Sequence, residues 1–193
     1  SNHLLIKILK KLPKKYQIII VENSTLQSTK NLEKKFKNTK VIIPECNLGY
    51  AKAFNLAMGE CKNNFVLTLT PDVLIEKNMI LKLEKFLVRF KNFSLLAPEY
   101  KNQKIYKNFV PLKADSKGNL KINKYAVLKA KEIDWCFCII NKKKFKNLAI
   151  LDENFFMYFE TMDLCKALIR LKHKMYIIKD LKFNHIGTSS SNK

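Results

Sequence analysis

The feature that most restricts the fold of this chain is a repeated alternation between short apolar runs and longer helical patterns. Apolar runs of strand length occupy residues 17–22, 40–43 and 65–69. Each is followed by a segment whose apolar residues recur every three or four positions, the spacing of an amphipathic helix. A strand with no polar alternation is buried on both faces, as the strands of a parallel sheet are. The alternation therefore predicts an α/β fold with a mostly parallel central sheet flanked by helices.

The same patterns assign most of the remaining chain. Helical spacing covers residues 3–12, 26–37, 50–61, 77–90 and 142–148. Further strand patterns cover residues 94–97, 133–140, 175–179 and 181–185. Residues 99–132 keep neither the helical nor the strand spacing of apolar residues, and we interpret them as a variable hairpin or loop excursion. With no internal repeat or boundary, residues 1–193 form one predicted domain.

Composition limits the classes of function that fit the chain. Its five cysteines are odd in number and lack a C-x-x-C pair, which favours structural thiols in a reducing compartment. No apolar run reaches the length of a membrane span, so we expect any membrane contact to be peripheral. The formal net charge is +21, but Arg89 and Arg170 are the only arginines. Base-reading proteins rely on arginine, so this balance argues against sequence-specific recognition of nucleic acid. Two explanations of the lysines stay open: an A/T-rich coding bias, and attraction to an anionic membrane surface.

Candidate polar residues directly follow the predicted strands. They are Glu22, Asn47, Gly49, Asp72 and His185. Ligands of open α/β sheets bind in the crevice at the carboxyl ends of the strands, so these residues are expected to share one cleft. Gly49 precedes a helix, where the backbone can approach a ligand and offer free N–H groups.

Asp72 and His185 are candidate metal ligands. Asp72 lies in a Thr-Pro-Asp turn, where the proline stiffens the backbone and aims the carboxylate into the crevice. A neutral imidazole at His185 opposite this carboxylate would complete a divalent-metal site. The alternatives are an ordinary turn at Asp72 and a structural histidine at His185.

Residues 151–170 combine acids, aromatics and a helix start. Glu160 and Asp163 lie nearly one turn apart where an apolar-periodic helix begins, after a run of aromatic residues. Two carboxylates beside an aromatic wall can act as general base, metal ligand or hydroxyl binder. The alternative is a capped helix followed by ordinary core.

Taken together, these segments resemble the family-2 glycosyltransferases of the GT-A fold, particularly their rhamnosyltransferase-like branch. The similar segments follow the family order, at residues 18–24, 47–55, 67–72, 151–165 and 182–189. Residues 18–24 resemble the family's second strand, which ends in an acid, and residues 47–55 resemble its N-x-G-x-a-x-a-x-N segment. Residues 67–72 resemble the N-P-D metal motif. Residues 151–165 resemble the F-D-E-x-F-F-x-Y-x-E-D-x-D-L-C motif, and residues 182–189 resemble H-x-G-x-S. The resemblance implies a GT-A fold over almost the whole chain.

The resemblance also implies roles for individual residues. For binding the nucleotide sugar it indicates Glu22, Asn47, Gly49, Asn55, Thr70 and Asp72. For binding Mg²⁺ or Mn²⁺ it indicates Asp72, with His185 near the metal. For binding the acceptor we add Trp135, Phe156 and Tyr158, and for catalysis Glu160, Asp163 and Thr161. The alternative for Trp135, which lies in a predicted strand, is a place in the core.

The chain departs from the family pattern at three places. Thr161 occupies the position of the usual general base and cannot accept a proton at neutral pH, so Glu160 or Asp163 would have to replace it. Thr70 stands where Asn or Asp is usual in the metal motif. The family's first strand, which would lie in the middle of the sheet, has no counterpart here. We therefore expect the chain to be a fragment of a longer protein.

The implied function is that of an inverting, metal-dependent glycosyltransferase. The expected donor is a nucleotide-diphosphate sugar such as dTDP-rhamnose, and the expected acceptor is a glycan or polyprenyl-linked molecule in bacterial surface-polysaccharide synthesis. The expected location is cytoplasmic, with peripheral contact at the inner face of the cytoplasmic membrane. The alternatives are a weakened homologue that binds nucleotide or glycan without turnover, and a lysine-rich binder of nucleic acid or membranes.

Overall fold

The computed structural model describes residues 2–101, 108–112, 120–122, 124–145 and 150–186. Its helices are α1 (Asn2–Leu9), α2 (Leu32–Lys35), α3 (Gly49–Glu60), α4 (Met79–Arg89) and α5 (Glu160–Arg170), with 3₁₀ segments at Gln27–Asn31 and Lys142–Phe145. Its strands are β1 (Ile18–Val21), β2 (Thr39–Ile42), β3 (Phe65–Leu69), β4 (Val73–Leu74), β5 (Leu95–Tyr100), β6 (Phe109–Pro111), β7 (Leu120–Ile122), β8 (Tyr125–Ile133), β9 (Phe137–Asn141) and β10 (Met175–His185). None of the helices described has the length and apolarity needed to cross a bilayer.

Eight of the described strands form one mixed sheet. Their order is β3-β9-β5-β10-β8-β6, with β4 beside β10 and β7 beside β8. Only β5 and β10 run parallel within it, and the other described pairs are antiparallel. The α/β class with flanking helices is confirmed, but the prediction of mostly parallel strands is wrong. Hydrophobic clusters cover both faces of the sheet, and such burial produces a continuous apolar run whatever the strand direction.

Strands β1 and β2 form a separate parallel pair. Among the described residues, β1 pairs only with β2, and β3 pairs only with β9. Helix α3 packs against β1 and also contributes Ala51 and Met58 to the core of the larger sheet. No described strand joins β1 to β3.

The core has three parts. Helix α4 places Ile80, Leu83 and Phe86 on one face of the larger sheet, and these residues have the spacing of a helical stripe. Helices α3 and α5 cover the other face, where Leu164 and Leu168 of α5 are buried. A third, smaller cluster of Leu9, Leu32 and Val41 joins α1 and α2 to β2. The sheet edge that carries the candidate residues is thus supported by helices on both sides.

The predicted strand at residues 133–140 is interrupted. Strand β8 ends at Ile133 and β9 begins at Phe137. Between them an Asp134 carboxylate oxygen accepts a hydrogen bond from the Cys136 N–H at 3.0 Å, which closes a tight turn. The Trp135 carbonyl in this turn accepts a hydrogen bond from the Thr68 hydroxyl at 2.9 Å. The apolar run therefore contains a turn that brings Asp134 to the edge of the sheet.

Other predicted elements differ mainly in their ends. The two extended segments at residues 175–179 and 181–185 are one strand, β10, with an irregularity between Ile178 and Lys182. The predicted excursion contains the antiparallel strands β6, β7 and most of β8. Three parts of the sequence predictions lie outside the described residues. They are residues 102–107, 113–119 and 123 of the excursion, residues 146–149 of the predicted helix at 142–148, and the tail from residue 187.

Candidate active site

The structure brings Asp72 and His185 together, although they lie far apart in the sequence. Asp72 occupies the turn between β3 and β4, and His185 ends β10, which pairs with β4. His185 Nε2 lies 3.1 Å from Asp72 Oδ2. The Ile186 N–H donates to the Asp72 carbonyl at 3.1 Å, and the Tyr100 hydroxyl donates to the His185 carbonyl at 2.7 Å. Strand pairing and two backbone contacts therefore hold this acid–imidazole pair in place.

The two side chains shift each other's titration. The hydrogen bond from His185 lowers the pKa of Asp72 from 3.8 to about 2, against the opposing effect of burial. The same hydrogen bond raises the pKa of His185 above its ordinary value. Thr70 also faces the Asp72 carboxylate and helps to keep it ionised, although its buried hydroxyl makes no hydrogen bond of normal geometry with the described residues. Asp72 is therefore a carboxylate at any physiological pH.

Asp134 is a second acid at the same place, and the sequence patterns had not identified it as a site residue. Its half-buried carboxylate contributes to the raised pKa of His185, after the larger effect of Asp72. Burial raises the pKa of the Cys136 thiol, and the charges of Asp134 and Asp72 raise it further. The sequence signal that could have indicated Asp134 was an acid within an apolar run, because acidic residues are rarely buried in the interior of a strand.

Glu160 extends this group of residues through Tyr50. The pKa of the Tyr50 hydroxyl is raised by burial and then by the nearby carboxylates of Asp134 and Glu160. Glu160 is the first residue of α5 and only 6% exposed, and its Oε2 has no hydrogen-bond partner among the described residues. A buried carboxylate oxygen without a partner costs stability, so it is a strong candidate for binding a ligand proton.

The other two predicted catalytic residues lie further along α5. Thr161 is half-buried directly after Glu160. Asp163 is exposed and lines a surface cavity of about 470 Å³ together with Leu151, Asp152 and Leu168. Its surroundings therefore differ from those of Glu160, which has contacts with the Tyr50 region. Of the two predicted carboxylates, Glu160 is the one placed beside the other site residues.

Residues 156–159, which directly precede α5, form a loop with exposed aromatic side chains that we call the aromatic loop. Phe156 and Tyr158 are mostly exposed, with Tyr158 at 69%. Tyr158 and Phe159 both adopt left-handed backbone angles with φ of 67°, a conformation that costs energy for bulky residues. The Phe156 carbonyl accepts a hydrogen bond from the Tyr50 N–H at 2.7 Å, which anchors the loop to α3. The predicted acceptor residues Phe156 and Tyr158 thus stand in solvent next to the site.

Gly49 permits this contact. Its φ is +72°, and a Cβ added there would lie 2.2 Å from the Phe156 carbonyl oxygen. The predicted free N–H groups at the start of α3 are, however, already in use. The N–H groups of Leu48 and Gly49 bond to the side chains of Asn23 and Asn47. The expectation of free N–H groups is therefore wrong at these two residues, because Asn47 satisfies the Gly49 N–H locally and Asn23 reaches the Leu48 N–H from the turn after β1.

Asn23 is a positioning residue that the patterns had treated only as a turn residue. Its amide N–H₂ donates to the Gly49 carbonyl at 3.0 Å, and its Oδ1 accepts the Leu48 N–H at 2.9 Å. The neighbouring Glu22 carboxylate accepts hydrogen bonds from Ser24 and Thr29. These bonds lower the pKa of Glu22 despite the opposing effect of burial. Glu22 thus braces the turn after β1, and its nucleoside contact stays a prediction, as does that of the exposed Asn47.

Two predicted binding residues have structural positions instead. The Asn55 amide bonds to both backbone groups of Leu151 and to the Glu153 carboxylate, so it joins α3 to the segment before the aromatic loop. Trp135 is 1% exposed and packs edge-on against Phe54 at 5.2 Å between ring centroids. It cannot stack on an acceptor sugar, so that prediction is wrong. The structure instead bears out the alternative, a tryptophan in the core.

The family follows from comparison with known proteins. The model of glycosyl transferase family 2 matches residues 4–149, more than half of the chain. The chain belongs to glycosyl transferase family 2. No curated protein sequence matches this family 2 chain.

Solved structures show the GT-A fold for this family 2 chain. They include GalNAc-T7 with UDP, GalNAc and Mn²⁺ (TM-score 0.71, 13% identity) and the mannosyltransferase PcManGT from Pyrobaculum calidifontis with GDP-Man and Mn²⁺ (TM-score 0.72, 9% identity). S. aureus TarS 1-349 is also similar (TM-score 0.66, 18% identity). The matches cover 96%, 99% and 94% of this chain but only 40%, 55% and 55% of those proteins. The rhamnosyltransferase-like branch stays a prediction.

The residues present fit a divalent cation that is shared with a substrate. Among the described residues, no group of three or more His, Cys, Asp or Glu side chains could hold a metal alone. Asp72 nevertheless presents an ionised carboxylate, and the His185 imidazole beside it would join as a ligand once the cation displaces the proton between the two side chains. Mg²⁺ and similar cations are commonly bound through one or two protein ligands plus substrate phosphates and water. The pair therefore suits a cation that arrives with a diphosphate.

Proposed function

We propose that this family 2 domain is an inverting glycosyltransferase that moves a sugar from a nucleotide-diphosphate donor to an acceptor hydroxyl. The observation that carries the proposal is a series of neighbouring polar side chains: the Asp72–His185 ion pair, Asp134 close enough to act on His185, and Asp134 and the buried Glu160 carboxylate both close to Tyr50. The reaction needs one group that stabilises the departing diphosphate and another that accepts the proton of the acceptor hydroxyl. These residues offer candidates for both roles.

The donor diphosphate is proposed to lie against Asp72. Asp72 and His185 would hold Mg²⁺ or Mn²⁺, and the bound cation would supply the positive charge that stabilises the departing diphosphate. Thr70 lies beside Asp72, and Glu22, Asn47 and Gly49 are proposed to contact the nucleotide. The ionised state of Asp72 supports this role, because a protonated carboxyl would be a poor ligand.

Glu160 is proposed as the general base. It accepts the proton of the acceptor hydroxyl while that oxygen forms a bond to the anomeric carbon of the donor. The bond between the anomeric carbon and the diphosphate oxygen breaks on the opposite face, and its electron pair leaves with the nucleotide. A positioned base of this kind contributes about 10²–10⁴-fold to the rate. Thr161, at the family's usual base position, cannot take this role.

The aromatic loop is proposed to bind the acceptor. Phe156, Tyr158 and Phe159 expose large apolar faces beside Glu160, and such faces pack against sugar rings or lipid chains. A glycan or polyprenyl-linked acceptor fits this surface. The setting we propose is bacterial surface-polysaccharide synthesis on the cytoplasmic side, with peripheral membrane contact and a donor such as dTDP-rhamnose.

Binding and transfer measurements test this proposal. Calorimetric titration with UDP, dTDP and GDP, with and without Mn²⁺, should show metal-enhanced binding of one nucleotide. Glu160→Gln should lower the transfer rate about 10²–10⁴-fold and leave nucleotide binding unchanged. Asp163→Asn is the matched control, and a larger loss there would assign the base to Asp163. No nucleotide binding under any condition would refute the enzyme proposal.

Thr161 favours a second candidate, a homologue that binds nucleotide or glycan with little turnover. This candidate predicts nucleotide binding as tight as that of an active enzyme but a very low transfer rate. Thr161→Asp distinguishes the two, because restoring a carboxylate at the family's base position should raise the rate of a weakened enzyme at least tenfold. An unchanged rate would favour Glu160 as a working base.

A further inference from the structure

The amino ends of β1 and β2 form a strongly basic surface that the proposed reaction does not use. A cavity of about 390 Å³ lies there, lined by Lys14, Lys15, Lys37 and Lys40 together with polar residues such as Tyr16. We call it the basic cavity. Among the described residues, no acidic side chain lines it. Four lysines around one depression concentrate positive charge beyond the general excess of the chain.

Half of this charge has no acidic partner in the part of the chain that the structure describes. Lys15 forms an exposed ion pair with Glu84 at 2.5 Å, and Lys40 forms one with Glu60 at 2.7 Å. Lys14 and Lys37 are exposed and have no acidic partner among the described residues. Exposed ion pairs hold their partners only weakly in water, so all four lysines are available to a strongly anionic ligand.

The basic cavity lies at the end of β1 opposite the candidate active site. Lys14 and Lys15 precede β1, whereas Glu22 follows it and braces the turn beside α3. Four residues of extended chain span about 13 Å. A ligand in the basic cavity would therefore leave the donor and acceptor sites open.

We propose that the basic cavity binds the phosphate headgroups of an anionic lipid membrane. Lysine binds phosphate as a point charge without the planar fork that reads bases, and the two arginines, Arg89 and Arg170, lie on other elements, at the ends of α4 and α5. Exposed Lys10, Lys34 and Lys35 in the segments leading to the cavity widen the positive surface. A broad, lysine-only surface fits a membrane better than a nucleic-acid groove, and contact there leaves the nucleotide-sugar site at the other end of β1 open to a water-soluble donor.

Vesicle binding without nucleotide tests the proposal. The protein should bind vesicles that contain phosphatidylglycerol, in a salt-dependent manner, and not vesicles of phosphatidylcholine alone. Lys14→Gln with Lys37→Gln should weaken binding about 30-fold, because each lysine near the surface contributes about fivefold. Lys91→Gln with Lys166→Gln removes the same charge from exposed positions elsewhere and should have a much smaller effect. Circular dichroism would verify that both double variants are folded.

Three results would overturn the proposal. An unchanged affinity in the Lys14/Lys37 variant would show that the basic cavity is not the contact surface. An equal loss in both double variants would show that only net charge matters. Tighter binding to duplex DNA than to the vesicles at the same salt concentration, lost in the Lys14/Lys37 variant, would assign the cavity to nucleic acid. Because donor binding should be unaffected in the variant, failure here is distinct from failure of the proposed reaction.

Discussion

Replacing Asp72 with asparagine should destabilise the protein in a pH-dependent manner. The pKa of Asp72 falls from 3.8 to about 2 beside His185, and one pKa unit corresponds to about 1.36 kcal/mol. The interaction therefore stabilises the folded state by roughly 2 kcal/mol when both groups are charged. Asparagine keeps the shape of the side chain and removes the charge, so the variant isolates this electrostatic contribution.

The direction of each shift defines the pH window. The lowered pKa of Asp72 contributes stability that is present above about pH 4 and lost as pH falls through about 2. The raised pKa of His185 contributes stability that is present below its ordinary value of 6.5 and lost as pH rises through the raised value. Asp72→Asn should thus cost roughly 2 kcal/mol near pH 5.5 and clearly less at pH 9.

Urea unfolding followed by circular dichroism at the two pH values measures this difference. Glu76→Gln is the control, since it removes a carboxylate from an exposed ion pair with Lys82 at 3.5 Å. Such a surface pair contributes about 0–1 kcal/mol, so the control should change little at either pH. An equal loss at pH 5.5 and pH 9 for Asp72→Asn would contradict the argument, because the loss would then come from packing.

Two further predictions concern packing. Gly49→Ala should destabilise the protein by more than about 1 kcal/mol, because φ is +72° and the new Cβ would lie 2.2 Å from the Phe156 carbonyl oxygen. Gly59→Ala in the same helix meets nothing within 4 Å and should be neutral or stabilising by up to about 1 kcal/mol, so equal effects in thermal unfolding would refute the steric argument. Leu168→Ala, at 0% exposure, should cost about 2–5 kcal/mol in urea unfolding, whereas Leu171→Ala, at 54%, should cost less than about 1 kcal/mol. Similar costs for the two leucines would contradict the assigned core.

Hydrophobic periodicity predicted the elements that pack locally. The third apolar run coincides with β3 at Phe65–Leu69, and the predicted helix at residues 50–61 is α3 to within one residue at each end. Strand direction and pairing were not predictable in the same way, because both faces of the sheet are covered and the apolar runs contain no directional signal. The break at Asp134 was missed because its neighbours on both sides are strongly apolar.

The candidate site was predictable where strand ends determine position. Asp72 and His185 were expected in one cleft from their places after apolar runs, and their side chains lie 3.1 Å apart. The functions of Asn55 and Trp135 were not predictable, because an amide or an indole can face a ligand or the core with the same neighbours in sequence. Asn23 acts through a contact with a distant segment, at Gly49, which no local pattern reveals. The acid at Asp134 within an apolar run was a local signal, but its place beside His185 was not predictable from it.

The separation of β1 from β3 has a practical consequence for measurements on this chain. β1 is entirely aliphatic yet only half-buried, and its described pairing is with β2 alone. Backbone N–H and C=O groups along the edge of such a strand can pair with an extended segment of another molecule. Samples for calorimetry should therefore be dilute and checked by light scattering, since self-association would add its own heat to the titration and distort apparent nucleotide affinities.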